Sequence, residues 1–317
     1  MNEERVRSLL ETITSCSEDW NLLDQNLHEI VEAVHWALKE EYWPLVQQYV
    51  ALLESFFLHY RPVVAGGEEA AAIGSVAHHW RVGYQVLDYG LVASKQLDDA
   101  AAVAGFLGSH ITLAVRLGTL AATLTVLGRT NLINAQPADY FDLLPQQVAQ
   151  YLSVASGLDL GWDPGYVVYR WARQIMDCGY YATAHKLLAM ALALVEKEGY
   201  KPGIADLHLM LGRNAELWGR LAEAVSYYSE TIGLCRDAGY ELSIANALLG
   251  LARIAYQQGD IDAAQQFASD GLAVAGEHIT PVGTELRALL DEIQGKQISP
   301  RDDDDNVAPA CSQGDRA

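Results

Sequence analysis

Gly165 to Tyr200 reads GYVVYRWARQIMDCGYYATAHKLLAMALALVEKEGY, Ala205 to Tyr240 reads ADLHLMLGRNAELWGRLAEAVSYYSETIGLCRDAGY, and Ala245 to His278 reads ANALLGLARIAYQQGDIDAAQQFASDGLAVAGEH. The three segments align without gaps at a spacing of 40 residues. Gly179, Gly219 and Gly259 coincide, Ala184, Ala224 and Ala264 follow five residues later, and Gly199-Tyr200 recurs as Gly239-Tyr240. Self-similarity at one fixed period of this length is the signature of a stacked-repeat fold.

Each column has a physical reason. Apolar residues recur at helical spacing on both sides of the first glycine, as in Leu207, Leu211 and Ala215, then Val225, Tyr228 and Ile232. The glycine between them takes the left-handed conformation that ends one helix and reverses the chain. The alanine five residues on removes bulk, so the two helices of a hairpin approach closely. Gly-Tyr ends the second helix. One hairpin cannot bury its apolar face, whereas a stack of hairpins can. The expected fold is therefore all-α, a solenoid of stacked antiparallel helix hairpins.

On these columns the chain resembles the tetratricopeptide repeat superfamily. The small-residue signature of that family matches at Leu211-Gly212, Gly219, Ala224 and Tyr228, and at Leu251-Ala252, Gly259 and Ala264, while the first repeat carries Trp171-Ala172 instead. The 40-residue period looks like the variant in bacterial signal-transduction ATPases and large transcriptional activators. Asn26-Leu27 through His35-Trp36-Ala37-Leu38 is similar to the helix that opens the repeat arm in those ATPases. The resemblance covers residues 165–278 best.

Outward from the repeats, residues 1–160 read as divergent helical repeats continuous with the array, or alternatively as a separate helical domain, with 161–279 the regular part. Trp80 to Leu97 and Ala104 to Ala122 read as degenerate repeat helices, with Gly118 as the turn glycine. Arg61 to Glu69 and the stretch around Gln136-Pro137 read as loops. Thr280-Pro281 predicts an N-cap followed by proline at the first helical position, opening a capping helix over 280–296. Residues 297–317, with Asp302 to Asp305 in a row, read as a disordered acidic tail.

Composition bounds the function. Lys plus Arg is 21 against 41 Asp plus Glu, a net charge of −20. Such a surface repels phosphate backbones and anionic lipid, so neither a nucleic acid nor a membrane is the expected partner. Val103 to Gly128 is apolar enough to need weighing as a membrane span. His110, Arg116 and three glycines interrupt it, and a charge at mid-bilayer costs about 2.5–3.5 kcal/mol, so two buried helices are expected. The start carries no signal-peptide apolar region. Cys16, Cys178, Cys235 and Cys311 have no zinc or CxxC spacing, so reduced thiols in a cytoplasmic protein are expected.

No phosphate loop, dinucleotide fingerprint or nucleophile elbow is present. His28, Glu32 and His35 share a helical face at i, i+4 and i+7, but a di-metal bundle needs a second carboxylate set on a facing helix. A polar helix face is the reading, with no metal and no cofactor. His78 and His79 point in different directions, so one is packed and one solvated.

The resemblance also implies a site. In tetratricopeptide arrays the first helix of each hairpin lines the concave groove. The position six residues before the turn glycine is Arg173, Arg213 and Arg253. Tyr169, Leu209 and Leu249 lie four residues earlier on that face, and Tyr166, Asp206 and Asn246 three earlier still. An arginine column with aromatic and amide neighbours suits an acidic peptide or a carboxylate, which the guanidinium fork pairs bidentately. Asp177 and Glu216 lie within salt-bridge reach of Arg173 and Arg213, which leaves Arg253 the freest. The expected function is a non-enzymatic scaffold for protein–protein interaction that binds a partner protein or acidic peptide in the groove. The alternative is a regulatory sensor arm in signal transduction that binds a small effector or peptide signal.

Overall fold

A computed structural model describes residues 1–15, 19–60, 69–236, 238–276 and 280–298 of the chain. Among these residues there is no strand, and the chain forms two compact units, Met1–Trp218 and Gly219–Ala317. The division falls at the turn glycine of the second repeat. The loop expected at Arg61 to Glu69 lies, up to residue 68, outside the described residues, as do the end of the third repeat and all of the tail beyond residue 298.

The first unit holds α1 (Glu3–Ser15), α2 (Trp20–Gln25), α3 (Leu27–Lys39), α4 (Trp43–His59), α5 (Glu69–Gln96) and α6 (Ala100–Val126). It continues with α7 (Ala138–Phe141), α8 (Leu144–Ala155), α9 (Pro164–Asp177), α10 (Tyr181–Glu198) and α11 (Lys201–Leu217). The second unit holds α12 (Leu221–Arg236), α13 (Glu241–Gln257), α14 (Ile261–Ala275) and α15 (Pro281–Ile298). Within each unit the principal packing joins helices consecutive in sequence: α4 on α5 on α6 and α9 on α10 on α11 in the first, α12 on α13 on α14 on α15 in the second. This is the all-α architecture of stacked antiparallel hairpins.

The repeat columns do what their chemistry dictates. Gly179, Gly219 and Gly259 have φ of +81°, +79° and +82°. At Gly179 and Gly259 the reversal is hydrogen-bonded in the same way. Tyr180 N donates to Ile175 O and Gly179 N to Met176 O, and Asp260 N donates to Ala255 O and Gly259 N to Tyr256 O. Each pair satisfies two carbonyls that the helix end would leave orphaned. Ala184, Ala224 and Ala264 are fully buried.

In the first unit α6 is the central helix, packed against α4, α5, α7, α8 and α9. It is continuous over 27 residues, about 40 Å at the helical rise, so the expectation of two helices with a turn at Gly118 is corrected. Gly118 sits inside the helix because the Phe141 ring lies against it; a Cβ there would come within 2.3 Å of that ring. The chain reverses instead at Gly128 (φ +69°), where Arg129 N donates to Leu124 O. By length and composition α6 qualifies as a membrane span, yet Phe106, Ile111, Leu113, Leu117 and Leu124 are buried inside the unit. Its large polar side chains lie against rings: the His110 ring stacks on Tyr84 at 3.6 Å, and Arg116 lies over Trp80 and donates to the Leu58 carbonyl.

His79 is buried against Phe56 and Phe57 while His78 is exposed, the split expected of adjacent helical side chains. Thr280 caps α15 as expected, its Oγ1 accepting from Gly283 N at 3.1 Å. Cys178 and Cys235 form no disulfide; Cys16 and Cys311 lie outside the described residues.

In the second unit the Tyr228 ring packs on the bare backbone of Gly250, where a Cβ would fall 2.3 Å from the ring. Tyr228 is fully buried and has no space to yield. Gly250→Ala is expected to destabilise by about 1–3 kcal/mol, whereas Gly233→Ala, whose Cβ meets nothing within 4 Å, gains about 0.5–1 kcal/mol of helix propensity. Urea unfolding of the two variants checks this, and equal effects would contradict the packing.

Candidate functional site

The groove face of α9 and α11 is built by local sequence. Asp163 caps α9 by accepting from Gly165 N at 2.7 Å, and Pro164 follows in the first turn. The helix then buries Val168, Trp171, Ala172 and Ile175 and leaves Tyr166, Tyr169 and Arg173 on another face. Tyr200 begins α11, and Asp206 lies in its second turn, exposed. These side chains meet. Tyr166, Tyr169, Arg173 and Asp206, with Val195 and Tyr200, line one open pocket of about 500 Å³.

The two tyrosine rings are stacked, with centroids 6.1 Å apart and planes 14° from parallel. Tyr166 is well exposed and Tyr169 half-buried. The Tyr169 phenol and the Arg173 guanidinium line the same pocket. Burial pushes the Tyr169 phenol up, the Arg173 guanidinium pulls it down, and Asp206 pushes it up again. Among the described residues no ion pair joins Arg173 to Asp177, and its charge acts on the Tyr169 phenol. The pocket thus presents one guanidinium and two carboxylates, Asp206 and Asp163, where an arginine column alone implied a cationic surface.

The remaining expected site residues are placed differently. Leu209 is half-buried and, like Arg213, does not line this pocket. Arg213 pairs with Glu216 at 3.0 Å, the neighbour three residues on. In the second unit the equivalent positions are covered by α15. Leu249 is buried in a cluster with Ala245, Ala252, Val282 and Leu286, which corrects its expected place on an open surface. Arg253 is not the freest arginine: Glu285 of α15 lies 3.5 Å away. That acid comes from another helix, so i, i+3 and i, i+4 arithmetic misses it. Asn246 Nδ2 donates to Leu242 O at 2.8 Å on its own helix.

Val195 and Tyr200 were not among the expected site residues. Tyr200 had a signal, the Gly-Tyr column, read only as a helix terminator; Val195 had none, since an apolar residue late in α10 reads as core.

A second, larger groove of about 920 Å³ runs between α3 and α5, lined by His28, Glu32 and His35 on one side and His78 and Tyr89 on the other. His28 Nδ1 is 3.9 Å from Glu32, and the His35 ring faces Tyr89 at 6.0 Å. Among the described residues no group of three His, Cys, Asp or Glu side chains is arranged to hold a metal ion.

The Tyr169 titration reports the pocket's charges. Its folded pKa is raised, so the neutral phenol stabilises fully below the unfolded value and that stabilisation is lost as pH rises through the folded value. Arg173→Ala removes the one lowering cation and is expected to move the titration further up. Asp206→Asn is expected to move it down. Carbon NMR of labelled tyrosine, with Tyr169→Phe for assignment, measures both shifts.

No protein-family model matches the chain. It is 27% identical over 122 residues to response regulator aspartate phosphatase A of Bacillus subtilis (strain 168), covering 38% of this chain and 32% of that protein. The match therefore spans about a third of the relative's length. Among solved structures, the chain is 13% identical, with a TM-score of 0.39, to a signal transduction ATPase with a tetratricopeptide repeat sensor from Pyrococcus horikoshii, covering 92% of this chain and 42% of that one. It is 14% identical, with a TM-score of 0.36, to the C-terminal part of a tetratricopeptide repeat-containing protein from Cytophaga hutchinsonii, covering 90% and 98%. Two of these similar proteins are tetratricopeptide-repeat proteins by name.

Proposed function

We propose that the chain is a non-enzymatic interaction module of the cytoplasm and that the groove between α9 and α11 receives an extended segment of a partner protein. The supporting observation is the convergence of Tyr166, Tyr169, Arg173 and Asp206 from two helices on one open pocket. Exposed tyrosines supply amphipathic contact area with little rotamer freedom to lose. Arg173 pairs with a carboxylate of the segment, and Asp206 accepts from its backbone N–H groups or from a cationic side chain. The segment is therefore of mixed charge, narrower than the acidic peptide that three arginines suggest. The net charge of −20 acts the same way, since it repels a strongly acidic partner, a nucleic acid or an anionic membrane at long range.

A second reading is favoured by the pocket's size and by the partial similarity to a response regulator phosphatase. About 500 Å³ falls in the range of small-ligand pockets, so the same groove is suited to a small effector or a short peptide signal that regulates a partner.

A photo-crosslinking phenylalanine in place of Tyr166 is expected to capture one partner in the native host, while the same probe at exposed Val126 does not. Arg173→Glu is expected to weaken that complex by about 1.5–3 kcal/mol, the range for a hydrogen bond to a charged group. Identical products at both positions, unchanged by Arg173→Glu, would refute the peptide reading. Thermal-shift screening against metabolites tests the second: a true effector stabilises by about 2.7 kcal/mol at a hundredfold excess over its Kd, and Arg173→Glu removes the shift.

A further inference from the structure

The first unit contains a small pocket that no repeat column requires. Glu54 of α4, Ser109 and Thr112 of α6, Tyr151 of α8, Trp171 of α9 and Trp162, between α8 and α9, line an open pocket of about 180 Å³. The Glu54 carboxyl accepts from the Ser109 hydroxyl, and burial pushes its pKa up. Among the described residues no lysine or arginine pairs with it. A carboxylate withdrawn from water without a counter-charge is an unfavourable arrangement that a cation relieves.

The walls are aromatic, and their donors are already used. Tyr151 and Trp171 are buried with rings edge to face at 5.3 Å, and Trp162 is half exposed. Trp162 Nε1 donates to the Tyr151 hydroxyl and Trp171 Nε1 to the Thr112 hydroxyl, each at 3.1 Å. Neither indole N–H is left for an anion, and besides the Tyr151 phenol the one ionisable lining group is an acid. The space exists because α6 carries glycine at 105 and 108. A Cβ at Gly105 would meet nothing within 4 Å, and one at Gly108 would touch the Tyr151 ring at 3.4 Å.

We propose that this pocket binds an alkylammonium group, its charge against Glu54 and its carbon substituents against Tyr151, Trp162 and Trp171. Aromatic faces attract cations through the ring quadrupole, and a carboxylate in the same pocket supplies the opposite charge. The volume is well below that of a drug-sized site, about 300–1,000 Å³, so the pocket takes a head group only. Its source is a free small amine or the side chain of a lysine. The site shares no lining residue with the α9–α11 groove and stands or falls independently of it.

Titration of the full chain, followed by tryptophan fluorescence and calorimetry, tests this with choline chloride, methylammonium chloride and Nα-acetyl-lysine amide. The neutral choline isostere 3,3-dimethyl-1-butanol and matched sodium chloride are the controls. Saturable binding of at least one amine is expected, with the isostere at least about tenfold weaker. Glu54→Gln, which keeps the Ser109 hydrogen bond, is expected to weaken amine binding about tenfold or more and leave the isostere unchanged. Gly105→Leu fills the pocket and removes binding while circular dichroism shows the helices intact, so the test survives if Glu54→Gln does not fold. Tighter binding of the lysine amide than of choline assigns a lysine side chain as the source, and the reverse assigns a free amine. Three results overturn the proposal: no saturable binding of any of the three amines, an isostere that binds as well as the cations, or amine affinity unchanged by both variants.

Discussion

Two amphipathic helices joined by a three-residue reversal cannot cover their own apolar faces, and the rest of this structure follows from that geometric deficit. The reversal needs a left-handed residue, which glycine supplies at Gly128, Gly179, Gly219 and Gly259. The close approach behind it needs a small side chain, which Ala184, Ala224 and Ala264 supply at full burial. Each hairpin then exposes a stripe that the next helix in sequence covers. Local contacts between consecutive helices dominate both units, and α15 ends the second by covering Leu249 with Leu286.

The same constraint explains where function can reside. A helix that packs on both its neighbours keeps one narrow face free, and on α9 that face carries Tyr166, Tyr169 and Arg173. Its counterpart on α11 carries Asp206. Function is thus confined to positions the stack does not consume. In the second unit the equivalent face is consumed, since the terminal helix lies over it and engages Arg253 through Glu285. A capping helix protects the end of a stack and, by the same contact, takes a groove face out of use.

The N-terminal part of the first unit obeys looser rules. Its helices α5 and α6 run 28 and 27 residues without a reversal, and glycine there serves close approach, as at Gly83 against Phe57 and Gly118 against Phe141. Polar side chains gather along these helices: His110 on Tyr84, Arg116 over Trp80, and Ser109 beside Glu54 of α4. Chemistry not encoded in the repeat columns collects here.

How far residues reveal structure divides along the range of the forces involved. The period, the reversals, the buried alanines, the cap at Thr280 and the pairing of Arg213 with Glu216 depend on neighbours within one or two helical turns. The order of residues alone determined them. Gly118 was misread because turn-making and close-packing glycines are identical in sequence; only the position of Phe141 distinguishes them. The burial of Leu249, the engagement of Arg253 by a distant acid, the placing of Asp206 and Arg173 in one pocket, and that of Glu54 with three aromatic rings in another were decided by tertiary structure. Each depends on which helix lies across from which, and pairings between helices depend on the summed packing of many side chains, not on any local spacing.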